Sequence, residues 1–330
     1  MKRKTFFLIL SLAALSRLTP AETNSESGTR FFRISFGNDT FVNTDRGFTH
    51  GVKFTWMSKD VKNYRKNPLL KWFSFTNGPG SAHTYSISIG QNIYTPDNIE
   101  TTEFIENDRP YAGYLYLGFG IHSKNTKRQD TFEIDLGIVG RHSFAEETQK
   151  IIHYVFAHED PLGWRHQLKD EFAFQTVFER KLRVYRTSSE KRVGIELIPH
   201  FGGGLGNVYI YANAGYQIRF GWNLPDDFGV ELRRPGGDTN VGINNRINSS
   251  IYIYAALDGQ AIFRDIFLDG NTILDGPRVE KNPFAANILT GFGIHIKKFF
   301  ITYTYVFWTK KFKTENHNHK FGVLNVSFFF

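Results

Sequence analysis

Cysteine is absent from the 330 residues. That removes disulfide scaffolds, thiol nucleophiles and Cys-x-x-Cys metal or redox sites from consideration. Long apolar runs are missing too: beyond residue 21 no stretch approaches the roughly 20 apolar residues that a membrane helix needs. No Gly-x-Ser-x-Gly elbow occurs, so a serine-nucleophile lipase has no support. Gly202-Gly203-Gly204-Leu205-Gly206 lacks the lysine and following helix of a phosphate loop and reads as a flexible turn. The formal charge of +8 includes Lys2, Arg3, Lys4 and Arg17 with no acid before residue 22, and falls to +4 once residues 1–21 are removed. That is too little for the clustered basic face of a nucleic-acid binder. Linkers, repeats and low-complexity tracts are lacking as well, so residues 22–330 read as one domain.

The chain start reads as a secretory signal: Lys2-Arg3-Lys4, the apolar run Phe6 to Leu15, then small residues at Thr19-Pro20-Ala21 before Glu22. Aromatics are plentiful, with 33 Phe, 15 Tyr and 5 Trp, yet the mean hydropathy is −0.34. Aromatic and polar residues are therefore interleaved, and with a period of two. Tyr85, Ile87 and Ile89 alternate with Ser86, Ser88 and Gly90, and Leu115, Leu117, Phe119 and Ile121 with Tyr114, Tyr116, Gly118 and Gly120. In Phe132-Glu133-Ile134-Asp135-Leu136 two carboxylates sit between apolar neighbours. A barrel wall resolves that pattern by turning one set to lipid and the other to the lumen. About twelve such segments occur, near 30–37, 47–58, 82–93, 110–122, 130–140, 166–181, 191–202, 209–222, 247–264, 285–297, 299–309 and 319–330. The stretch 247–264 is long enough for two strands, and the boundaries around 223–246 are open. The last segment alternates strictly to a terminal Phe330, as in bacterial outer-membrane barrels. The expected fold is an all-β membrane protein: a twelve-stranded antiparallel outer-membrane barrel with both termini periplasmic.

From Ser143 to Ala157 the period shifts to that of a helix, with Ser143 and Glu146 spaced as a capping box and with Pro161 and Gly163 beyond. Strand counting puts this short helix on an extracellular loop. Gln149 and His153 share one face of it. Nearby extracellular segments hold Asn38-Asp39, Asp45-Arg46-Gly47-Phe48-Thr49-His50-Gly51, Asp108-Arg109-Pro110-Tyr111-Ala112-Gly113, Glu159, and Gly163-Trp164 with Gln167-Leu168. Their carboxylate and hydroxyl oxygens are hard ligands, suited to calcium. A histidine beside such an ion can activate water, although a lone histidine on a lid helix is more often structural. Asn38-Asp39 and Asp45-Arg46-Gly47 also read as turns.

These spaced motifs, with Leu224-Pro225-Asp226-Asp227-Phe228-Gly229, resemble the outer-membrane lipid A 3′-O-deacylase family over nearly the whole mature chain. The resemblance implies a twelve-stranded barrel and a calcium-dependent esterase acting on lipid A or lipopolysaccharide in the outer leaflet, by a phospholipase-A2-like mechanism. It makes His153 the residue that activates water, sets Asp39, Thr49 and Glu159 around the calcium, and places Asn38 beside the oxyanion. Gln149 and Arg109 become candidate substrate contacts, and a monomer suffices. Two departures stand out. A basic pair that some members carry is replaced by Asn98-Ile99-Glu100-Thr101-Thr102, leaving Arg109 or a lysine from another loop to substitute, or a different headgroup preference. Pro161 stands where a tyrosine is expected two residues past the glutamate, and His158-Glu159-Asp160 offers three ligands within one residue of register.

The rival readings are a non-catalytic lipid-binding or structural barrel, and a narrow pore whose lumen Tyr114, Tyr116, Lys53 and Glu133 would fill. His317 and His319 read as part of a solvated loop before the last strand rather than as a metal pair, and Lys59, Lys62, Arg65, Lys66 and Lys71 as a solvated periplasmic face.

Overall fold

The computed structural model describes residues 30–39, 47–61, 81–156, 159–187, 192–232 and 249–330. The expectations for the signal segment, for Asp45-Arg46, for Lys62 to Lys71 and for His158 lie outside these residues. Among the described residues twelve long strands form: β1 (Phe31–Asn38), β2 (Gly47–Met57), β3 (Ala82–Thr95), β4 (Ala112–Lys124), β5 (Arg128–Val139), β6 (Glu171–Leu182), β8 (Val193–Gly206), β9 (Tyr209–Trp222), β10 (Ser249–Asp265), β11 (Phe284–Ile296), β12 (Phe299–Trp308) and β13 (His319–Phe329). A two-residue strand, β7 (Tyr185–Arg186), pairs with β8. Each long strand runs antiparallel to its neighbours. Pairing of β1 with β13 and of β6 with β8 closes the ring, which leaves no long edge exposed. Among the described residues two helices interrupt the β pattern, α1 (Ala145–Phe156) and α2 (Ile266–Asp269).

The side-chain period of two decides what each face meets. On β5, Glu133 and Asp135 are buried while Leu136 is exposed; on β3, Ser86 and Ser88 are buried while Ile87 and Ile89 are exposed. The exposed set is the apolar band that faces lipid, and the buried polar set fills the lumen. There Lys53 Nζ donates to Glu133 Oε1 at 2.8 Å. Asp258 accepts from Asn213 at 2.9 Å and from Gln260 at 2.7 Å, and lies 3.1 Å from His200 Nε2.

Both ends of the lumen are closed among the described residues. At the extracellular mouth α2 turns inward, burying Ile266, Phe267 and Leu268, with Phe267 stacked 4.2 Å from the Tyr94 ring. At the periplasmic end residues 224–232 fold back into the barrel and meet its basic side chains. Arg219 donates to Asp227 and, at 2.6 Å, to the Pro225 carbonyl; Lys181 donates to the Val230 carbonyl at 2.6 Å; Arg33 pairs with Glu231. Gly229 is required here, since its φ is +82° and an added Cβ would lie 2.0 Å from Gln217 Oε1. The Leu224 to Gly229 motif is thus a plug.

Several local expectations change. The stretch 247–264 is the single strand β10, with a register shift between Ile262 and Arg264. The glycine run 202–206 is part of β8 rather than a turn: an added Cβ at Gly204 would come 2.5 Å from the Tyr211 ring, so the lumen aromatics need these glycines. The segment expected from 166 starts as β6 only at Glu171, because Trp164–His166 forms a 3-10 turn that docks Leu168 through its N–H on the Tyr111 carbonyl at 2.9 Å. Ser143 does not cap α1. Its hydroxyl donates to the Gly140 carbonyl, and Phe144 in the left-handed region separates it from the helix. His319 is buried and bonded to Glu315 at the start of β13, so it is not part of a solvated pair with the exposed His317.

Because Arg33 would keep a buried charge without its carboxylate, Glu231→Ala is expected to cost about 3 kcal/mol. The urea midpoint of unfolding, read from heat-modifiable gel mobility, checks this; an unchanged midpoint would show that the plug does not hold the barrel.

Candidate active site on the outer wall

Strand parity places the candidate residues. On β1 the lipid-facing set is Phe32, Ile34, Phe36 and Asn38, and on β2 it is His50, Val52, Phe54 and Trp56. In register, Asn38 opposes His50, His50 opposes Ile93, and Ile93 opposes Gly113. These four form one row across β1 to β4 on the outside of the barrel, near its extracellular rim. Strands lie about 4.8 Å apart, so the row spans about 14 Å. Its members are nonetheless shielded: Asn38 and His50 are buried and Ile93 is fully so. Asp39, the next residue along, is buried as well. A register shift in β2 between Phe48 and His50 falls on Thr49.

The cover over the β3–β4 half of this row is α1. Gln91, on the outer face of β3, donates to the Ser143 carbonyl at 2.6 Å. Gly113 leaves room for the helix start, since a Cβ there would sit 2.0 Å from Ser143 Oγ and 2.3 Å from the Ala145 side chain. Ala145, Ile93, Ile99, Tyr111 and Trp164 pack as one apolar cluster between helix and wall. The Trp164 ring lies 5.0 Å from that of Tyr111.

One polar relay runs through this cluster. Trp164 Nε1 donates to Gln149 Oε1 at 2.8 Å. An indole can only donate, so the Gln149 oxygen must accept, and its amide nitrogen faces His153 Nε2 at 3.4 Å. On the other side, His153 Nδ1 lies 2.5 Å from the Glu159 main-chain carbonyl, which can only accept. The imidazole therefore carries its proton on Nδ1 and a lone pair on Nε2. Its two partners fix that tautomer, which is the one a general base needs.

The structure brings together Gln149, His153 and the Glu159 backbone, and sets Asn38 on the same outer wall, with Asp39 next in the chain. The Glu159 side chain itself is exposed. Arg109 goes elsewhere. Its Nη2 is 3.6 Å from Glu315 Oε1 and its guanidinium lies near the rings of Tyr94 and Phe312, on the lumen side of the mouth. Burial works to raise the Glu315 carboxyl, but the hydrogen bond from His319 and the charge of Arg109 hold it below the usual range. Asp108 instead builds the loop, accepting from the Asp97 N–H at 2.6 Å and the Arg109 N–H at 2.7 Å; burial pushes its carboxyl up. Sequence reasoning missed His50, Gln91 and Tyr111 as parts of the site. His50 was visible only once the β2 parity across Thr49 was known. Among the described residues no three His, Asp or Glu gather as a metal cage.

The chain matches, over residues 6–330, the family model described as outer membrane protein LpxR. LpxR from Salmonella typhimurium is similar in structure, with a TM-score of 0.73 at 18% identity, covering 91% of this chain and 100% of that one. The β domain of the Bordetella autotransporter BrkA aligns at 8% identity over 92% of this chain and 99% of that one, with a TM-score of 0.45. No curated protein sequence matches. The sealed barrel, the helix on its outer wall and the match along almost all of the sequence lead to one conclusion: the chain belongs to the LpxR family of outer membrane proteins and resides in the bacterial outer membrane.

Proposed function

We propose that this protein is an outer-membrane esterase that removes the 3′-linked acyl chain of lipid A, using water activated by His153. The observation that carries the reading is the Trp164–Gln149–His153–Glu159 relay, which keeps the imidazole proton on Nδ1 and makes Nε2 the acceptor nitrogen, its lone pair facing the Gln149 amide at 3.4 Å, where water would take the place of that amide. The mechanism follows from that lone pair. His153 Nε2 takes a proton from water as the water oxygen attacks the ester carbonyl carbon. The carbonyl oxygen becomes anionic, and the Asn38 amide can donate to it. Collapse breaks the bond to the sugar oxygen, and the His153 imidazolium returns its proton to that leaving oxygen. The products are a fatty acid and an underacylated lipid A.

The resemblance adds calcium. Asp39, Thr49 and Glu159 would hold it; the set is all oxygen, which fits calcium, whose cages are completed by main-chain carbonyls and water. When bound, the ion would supply positive charge for the developing oxyanion. Lipid A or lipopolysaccharide in the outer leaflet is the substrate, the site faces that leaflet, and a monomer is enough for the chemistry. With Arg109 held by Glu315, its role in binding the substrate would require release from that pair.

Incubation of the detergent-solubilised protein with hexa-acylated lipid A, with calcium or with EDTA, is expected to give loss of the 3′-linked acyl unit by mass only with calcium. No mass change with a folded barrel would leave a lipid-binding or structural role. His153→Ala is expected to lower turnover at least about 100-fold with folding intact; persistence of processing would remove His153 as the base. Asp39→Ala is expected to raise the calcium needed for half-maximal activity, and an unchanged titration would take Asp39 out of the site. Trp164→Phe frees the Gln149 amide and is expected to cost about tenfold in kcat with KM unchanged. A rise in KM alone would assign Trp164 to substrate binding instead.

A further inference from the structure

α1 has two unlike faces. Ala145, Gln149 and His153, at successive i, i+4 positions, turn to the wall and are buried. On the opposite arc Ile151 is 64% exposed, Tyr154 87% and Val155 65%, and Phe144 just before the helix is 56% exposed. A helix resting in water carries charge on its outward face; this one carries large apolar side chains there. Two of its charged groups keep to another edge, where Lys150 Nζ bonds Glu146 at 2.6 Å, and the third, Glu147, stands in the first turn ahead of Ile151 and Tyr154 on the outward arc.

The place of the helix on the wall says what meets that face. Climbing the outward row of β3, Ile87 and Ile89 are exposed and belong to the lipid-facing band, and the next outward residue, Gln91, is the one bonded to Ser143. On β4, Leu117 is exposed in the same band, and Gly113 seats the helix start. Two residues of strand span about 7 Å. The helix therefore begins directly above the last apolar residue that touches lipid, within the depth at which amphipathic helices lie between headgroups and acyl chains. Its exposed apolar side chains thus follow on from the lipid-facing band of the wall.

We propose that α1 is a membrane-interface helix, with Phe144, Ile151, Tyr154 and Val155 seated among the lipids of the outer leaflet that the barrel spans. This goes beyond the esterase reading and does not depend on it. Where the esterase reading also holds, substrate reaches His153 sideways along the leaflet.

The absence of cysteine makes the test clean. Single variants Ile151→Cys, Tyr154→Cys, Val155→Cys and, as the polar-edge control, Lys150→Cys are nitroxide-labelled in the full chain. The protein is placed in vesicles of phosphatidylcholine and phosphatidylglycerol, and folding is verified by heat-modifiable mobility. Collision rates with oxygen and with a water-soluble nickel chelate report where each label lies. The expected result is oxygen in excess of nickel at 151, 154 and 155, with the ratio reversed at 150. Nickel in excess at all four positions would place the helix in water and overturn the proposal. Spin–spin broadening at 151 and 154 would also overturn it, by putting a second copy on the face. The readout involves no ester hydrolysis, so failure of either proposal is seen separately.

Discussion

The seating of Ser143 and Ala145 against Gly113 determines where α1 and its buried Gln149 and His153 lie on this protein. A side chain at Gly113 would collide with both, and the neighbouring Gln91 fastens the same turn through its amide. With that contact made, the next two turns of α1 lie along the outer wall, and Gln149 and His153 must look toward the barrel from outside. Trp164 then fills the gap and fixes the Gln149 amide, which in turn fixes the imidazole. Each step is a packing or donor–acceptor constraint that leaves one arrangement open.

The same wall separates two polar environments of opposite character. Inside, charges are buried in large number and are neutralised locally, as in Lys53 with Glu133 or Arg219 with Asp227. Outside, few polar groups are tolerated, and Gln91, Gln149 and His153 are sheltered between the helix and the wall rather than by lumen partners. Arg109 and Tyr111, two residues apart, illustrate the division: one joins the charged mouth and the other the apolar cluster beneath α1.

Much of the barrel was legible because lipid and lumen impose a period of two that no turn residue can counterfeit. Eleven of the twelve expected strand starts fall within two residues of an observed one; β6 does not, because Trp164 to Leu168 is committed to the helix side by packing that periodicity cannot register. His153 and Gln149 were readable from helix spacing and family motifs. His50 was not, since a register shift beside it hides its parity, and neither was the burial of His319, which rests on a carboxylate four residues back. The failed capping box at Ser143 is of the same kind: a serine positioned for one local bond was taken by another. Long-range partners, rather than local preference, account for each difference.

The plug at residues 224–232 and the inward turn of α2 have a consequence for the cell as well as for the molecule. A wall protein with an open lumen raises the permeability of its membrane with every copy inserted. Here the basic side chains that would line a conduit are already satisfied by Asp227, Glu231 and two main-chain carbonyls. The abundance of such a protein can therefore vary with demand while the barrier to small toxic solutes stays intact.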